Sequence, residues 1–95
     1  MQTNVGDIVV SVAGRDMGEF YVVRNVENDM VYLVDGKGKT QQKPKKKKLK
    51  HIRPTGRNSM ALKEKWTNGT KVLDAEIRKT ISSFEQQCQN MQKVD

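Results

Sequence analysis

The apolar residues of this chain change period once, and that change limits what it can fold into. Ile8, Val10 and Val12 alternate with Asp7, Val9 and Ser11. Phe20, Val22 and Val26 alternate next, with Tyr21 and Val23 on the opposite side. A period of two is the mark of strands. From Leu73 onward the spacing becomes three and four: Leu73, Ile77, Ile81, Phe84, Cys88 and Met91 make one apolar stripe on a helix. The chain therefore begins as sheet and ends as helix.

Turn residues divide the first part into three strands. Gly14-Arg15-Asp16-Met17-Gly18 carries two glycines able to adopt positive φ. Glu27-Asn28-Asp29 and Asp35-Gly36-Lys37-Gly38 are further turns, enclosing a β-rich strand at Met30–Val34. Short strands joined by tight turns predict a small antiparallel barrel or sheet, and a mainly β fold. Gln41 to Lys48 contains Pro44 and four consecutive lysines, which repel one another and favour an extended or mobile segment. Leu49 and Ile52 break strict alternation, so Lys48–Arg53 reads as a last or bulged edge strand, ended by Pro54-Thr55-Gly56. The expected division is a barrel with a basic stretch over 1–57, a linker over 58–72 and a C-terminal helix over 73–92. Within the linker, Ser59–Trp66 suits either a short helix or a docked connection. Asp74 and Glu76 favour the positive end of the last helix, but Thr70 and Leu73 do not make a capping box.

Charge follows this division. Of 95 residues, 18 are Lys or Arg and 11 are Asp or Glu, a net +7. Residues 1–35 hold two bases against six acids, net −4. Residues 36–57 hold ten bases and no acid, net +10. Residues 58–95 hold six bases against five acids, net +1. The whole excess belongs to one short stretch, and a local excess of this kind suits a polyanion.

The remaining composition excludes several classes. No apolar run approaches the roughly 20 residues of a spanning helix. The polar start, Met1 to Asp7, is not that of a signal peptide. Cys88 is the only cysteine, so no internal disulfide forms, and a reduced, soluble, cytoplasmic setting is expected. His51 is the only histidine and has no cysteine pair beside it, so no metal site and no cofactor are expected. No nucleophile, base and orienting acid are grouped, and the carboxylates are scattered, so no catalytic residues are assigned.

The stretch Val5 to Val23, VGDIVVSVAGRDMGEFYVV, resembles the KOW motif. Leu33-Val34-Asp35-Gly36 and the run Pro44 to Ile52 are similar to the large-subunit ribosomal proteins of the fourteen-e type and their small bacterial relatives. The likeness covers about residues 5–55 and extends to Asp74-Ala75-Glu76-Ile77-Arg78-Lys79. It departs at two points. Arg15 stands where proline is frequent in the ribosomal relatives, and Leu73 where threonine precedes the aspartate. The resemblance implies an SH3-like barrel that binds RNA, often ribosomal RNA.

The candidate RNA-binding residues are then Gly14, Arg15 and Gly18 in the first loop, and Lys43, Lys45, Lys46, Lys47, Lys48, Lys50, His51, Arg53 and Arg57 in the basic stretch. Lysines in series follow a phosphate backbone and gain from counterion release, largely without reading sequence. Plainer readings stand beside these: lysines that guard a sheet edge, and glycines that only shape a turn. Asp16 suits fixing the turn better than meeting phosphate. Tyr21 and Tyr32 offer stacking faces, whereas Phe20 suits the core. The second functional reading is a protein-interaction module, with a partner or a second copy held through Leu73, Ile77, Ile81 and Phe84. A polybasic membrane contact is a third, without a basic amphipathic helix or lipidation signal beside the run.

Overall fold

The protein is described by a computed structural model covering residues 2–93, with side chains through Cys88. Five strands form one antiparallel sheet: β1 (Asp7–Ser11), β2 (Phe20–Glu27), β3 (Met30–Val34), β4 (Lys45–Lys48) and β5 (Ile52–Asn58). Their order across the sheet is β4-β3-β2-β1-β5. The two edge strands are consecutive in the chain, joined only by a 3-10 turn over Leu49–His51. Two helices follow, α1 (Met60–Asn68) and α2 (Asp74–Lys93).

Both faces of the sheet carry apolar clusters. On one, Ile8, Val22 and Val34 pack against Leu62 of α1, Val72, and Ile77, Ile81 and Phe84 of α2. Phe20 meets Phe84 edge to face, with ring centroids 5.2 Å apart, a favoured aromatic geometry. On the other face, Val9, Tyr21, Val23, Val31, Leu33 and Ile52 form a second cluster, with Val26 and Leu49 at its margin.

This two-sided burial corrects the simple alternation expected of β1. Val9 and Ser11 are fully buried and Val10 only partly, because Val9 belongs to the second cluster rather than to solvent. Val26 joins the Tyr21 and Val23 side instead of following Val22. The pairing explains why: Val23 faces Leu33 and Asn25 faces Tyr32, so Arg24 is an extra residue that reverses the parity beyond it. β2 and β3 meet at a tight turn in which Asn28 takes a left-handed φ of 58°, a conformation asparagine tolerates better than most residues.

The basic stretch is more ordered than its charge suggests. Lys45–Lys48 is a strand paired with β3, not an extended free segment. The single strand expected over Lys48–Arg53 is instead split between β4, the 3-10 turn and β5. Pro54-Thr55-Gly56 does not end the last strand. It lies inside β5 as a bulge, since Ile8 faces Arg57 while the next residue, Val9, faces Pro54. The Thr55 hydroxyl donates to the Ile8 carbonyl across the bulge at 2.7 Å.

The expected linker over 58–72 contains α1. Ser59 caps it, its hydroxyl accepting from the Leu62 amide, and Leu62 and Trp66 dock it on the first cluster. α2 begins at Asp74. Leu73, placed on the apolar stripe by spacing, is instead half-exposed, and Val72 takes its place in the core. Glu76 supplies the cap that spacing did not reveal: its carboxylate accepts the Leu73 backbone N–H at 3.0 Å. The same carboxylate pairs with Lys65 of α1. The Lys65 contact and the Leu73 amide hold the Glu76 carboxyl below its ordinary pKa. Of the four residues expected to hold a partner, Ile77, Ile81 and Phe84 are buried on the sheet and Leu73 is exposed. Met91 lies outside the described side chains.

Gly36 fixes where α2 meets the sheet. A Cβ there would collide with the Asp74 carbonyl and crowd the Arg78 side chain. The Arg78 guanidinium donates to the Gly36 carbonyl at 2.6 Å.

Candidate nucleic-acid interface

The loop between β1 and β2 is built around Asp16. Its Oδ1 accepts from the Ser11 hydroxyl at 2.8 Å and from the Lys47 ammonium at 2.8 Å. Its Oδ2 accepts from the Tyr21 hydroxyl at 2.9 Å. Lys47 Nζ also donates to the Ala13 carbonyl at 2.8 Å. Burial alone would raise the Asp16 pKa. The hydrogen bonds from Lys47, Ser11 and Tyr21, with the Lys47 charge, outweigh it and hold the carboxyl well below the usual carboxylate range. Burial, then the bond to Asp16 and its negative charge, push the Tyr21 phenol well above its ordinary value.

Two of the candidate residues therefore differ from their expected use. Lys47 is buried and its ammonium is committed inside the protein, to Asp16 and the Ala13 carbonyl. Tyr21 is buried with its hydroxyl engaged, so it offers no stacking face. Asp16 organises the turn, as its charge suggested. Parity in β4 separates the lysines. Lys47 is paired opposite Val31 and faces the second cluster with it. Lys46 and Lys48 are paired opposite Tyr32 and Met30, and both are exposed. The Lys46 ammonium sits 5.8 Å from the Tyr32 ring centroid.

Arg15 lies exposed at the loop between Gly14 and Gly18, whose φ values are 87° and 91°. At Gly14 a Cβ would meet the Lys47 ammonium only at an ordinary 3.4 Å, so it is the positive φ of the turn that calls for glycine. Lys45 and His51 are half-buried, and Lys43, Lys50 and Arg53 are exposed. The 3-10 turn sits beside the root of the first loop, because the His51 carbonyl accepts the Val12 amide at 2.9 Å. The Arg15 loop, β4, the 3-10 turn and the start of β5 thus form one neighbourhood. Arg57 does not belong to it. Beyond the β5 bulge it lines a groove with Ser59, Lys65, Lys79 and Phe84 between β5 and the helices. Lys43 lies in the loop before β4, where its amide bonds to Thr40.

One grouping has no counterpart in the sequence reading. The Arg24 guanidinium lies 4.9 Å from the Trp66 ring centroid. The Trp66 indole N–H donates to Gln41 Oε1 at 2.9 Å, and Gln41 Nε2 donates to the Val72 carbonyl at 2.7 Å. These contacts anchor α1 and the approach to α2 on the sheet. Arg24 keeps the parity of Phe20 and Val22, which places it on the face where α1 docks, and its partner Trp66 is too remote in sequence for a local pattern to announce the contact.

Among the described residues no group of three or more His, Cys, Asp or Glu comes together as metal ligands. Among them, too, the exposed bases of residues 36–57 make no ion pair, and Lys47 alone is matched with an acid. No described helix is long and apolar enough to cross a membrane. No family model matches the chain, and no curated protein is significantly similar to it.

Proposed function

We propose that this chain is a non-catalytic RNA-binding protein of the KOW type, an SH3-like barrel that holds structured RNA, ribosomal RNA foremost, on the face formed by Arg15, Lys46, Lys48, Lys50 and Arg53. The observation that carries this reading is the division of the lysine run. One lysine, Lys47, is spent on the fold, while its neighbours stand exposed without acidic partners. Edge protection needs a charge or two; a row of unmatched bases beside a glycine-bounded loop suits a phosphate backbone.

Two features support the barrel. In a flat sheet the edges β4 and β5 would stand about 19 Å apart, four steps of about 4.8 Å. Three residues of 3-10 helix advance only about 6 Å, so the sheet has to curl for Leu49–His51 to join its edges. In addition, Lys47 of β4 reaches the loop that follows β1, although β3 and β2 lie between the two strands in the sheet.

The test is a salt series of binding to a folded ribosomal RNA fragment. Log affinity should fall linearly with log salt. Replacing Lys46, Lys48 and Lys50 by alanine should reduce the slope by about 2–3, close to one per lost phosphate contact. An affinity and slope unchanged by the triple replacement would remove the proposed face. The partner reading needs Leu73, Ile77, Ile81 and Phe84 free, and the last three of these are buried on the sheet.

A further inference from the structure

We infer that Lys47 is a positioning residue for the RNA-binding loop: its ammonium neutralises Asp16 and pins Ala13–Gly18 in the shape that presents Arg15. This rests on the RNA reading for its purpose, though not for its geometry.

The loop is short of apolar anchors. Arg15 is exposed and Met17 is 65% exposed, so neither side chain holds it down. Its order comes from polar contacts converging on one carboxylate. Within the loop, the Met17 amide bonds to Gly14 and the Glu19 amide to Asp16, while the Gly18 amide bonds back to Ser11 on β1. Asp16 ties this turn to Ser11, Tyr21 and Lys47 at once. Lys47 is the one cation in the set and comes from a strand remote in sequence, bonding to both Ala13 and Asp16.

Removing that cation has a double effect. The loop loses its link to β4. The carboxylate of Asp16, next to Arg15 in the chain, also loses its neutralising charge and would repel an approaching phosphate. Lys46 and Lys48 carry the same charge in the same strand, yet the bonds to Ala13 and Asp16 come from Lys47. The lysine run thus holds two roles that composition cannot separate, and parity in the strand distinguishes them.

The experiment compares Lys47→Met, Asp16→Asn, the double variant Lys47→Met/Asp16→Asn and Lys46→Ala in the full chain. Methionine keeps much of the buried alkyl length without the charge. Amide exchange at Gly18 and Glu19 reports loop order and needs no RNA. Binding to the folded ribosomal RNA fragment over a salt series reports its consequence. With Lys47→Met, loop amides should exchange at least about tenfold faster while amides within α2 stay protected. RNA affinity should fall with the salt slope unchanged. Adding Asp16→Asn should recover part of that affinity, because the uncompensated charge is gone. Lys46→Ala should reduce the slope and leave loop exchange as it was.

Unchanged loop exchange in Lys47→Met would overturn the inference. So would a slope reduced as much as in Lys46→Ala, since Lys47 would then be a phosphate contact. If Lys47→Met does not fold, Asp16→Asn makes the same exchange test from the other side of the pair. If the unaltered chain binds no RNA, the RNA reading fails alone, and loop exchange still decides whether Lys47 positions the loop.

Discussion

The two faces of the sheet are closed by different physics. On the helical face, Ile8, Val22 and Val34 are covered by Leu62, Val72, Ile77, Ile81 and Phe84, an apolar contact that depends on area and shape. On the other face an apolar cluster of Val9, Val23, Val31, Leu33 and Ile52 ends at an ion pair and a phenol, where Lys47, Asp16, Tyr21 and Ser11 bond to one another. The first contact is made by Ile, Val, Leu and Phe side chains, none of which titrates. The second depends on charge state, sits beside the exposed bases, and shapes a loop rather than holding the domain together.

This contrast is tested first by its largest expected effect. Ile77 is fully buried in the helical cluster, so Ile77→Ala should cost about 2–5 kcal/mol in denaturant unfolding. A cost below 1 kcal/mol would mean that α2 is not the main cover of that face. Asp16→Asn should cost less, about 1–3 kcal/mol, as the Lys47 ammonium loses its counter-charge while the amide oxygen still accepts a hydrogen bond. Should it equal the Ile77 effect, the polar end would be as central to stability as the apolar one.

The pH dependence of the two variants sharpens the same contrast. The Asp16 pKa is depressed on folding, so its contribution is complete above the ordinary value of 3.8 and is lost as pH falls below it. The stability gap between the unaltered protein and Asp16→Asn should therefore narrow in acid. Tyr21 acts in the opposite sense. Its raised pKa gives stability that is present below the ordinary value of 10.0 and lost as pH rises beyond it. Tyr21→Phe should accordingly flatten the alkaline limb of the unfolding profile. The penalty of Ile77→Ala should stay constant over both ranges, and a penalty that tracked pH would blur the distinction.

The smallest effect concerns the Trp66 anchor. Trp66→Phe should cost about 1 kcal/mol through the lost bond to Gln41 and the weaker Arg24 contact. Its signature should be faster amide exchange in α1, with the loop at Asp16 unaffected.

What could be read from the sequence follows the same line. Met30–Val34 stands out by composition and flanking turns, and Ile77, Ile81 and Phe84 by spacing, because these signals are local. β5 is hidden because Pro54 and Gly56 look like a stop until the bulge opposite β1 accommodates them. Val26 is misassigned because the parity change at Arg24 exists only in the pairing with β3. The helix cap at Leu73 escapes notice because its side chain is apolar and Glu76 makes the bond to its backbone. Among the candidate contacts, Arg15, Lys46, Lys48 and Lys50 are exposed, as their charge alone suggests. Lys47 is not, and four identical residues hide which one faces inward. Its position opposite Val31 exists only in the pairing with β3.

The order of the elements along the chain also has a consequence for synthesis. β1, β2 and β3 leave the ribosome with Ile8, Val22 and Val34 ready to pair, but their cover on α2 is made last. At ordinary elongation rates this delay is on the order of seconds, longer than a hairpin needs to form. The nascent sheet thus presents a sticky surface that α2 must reach before another chain does.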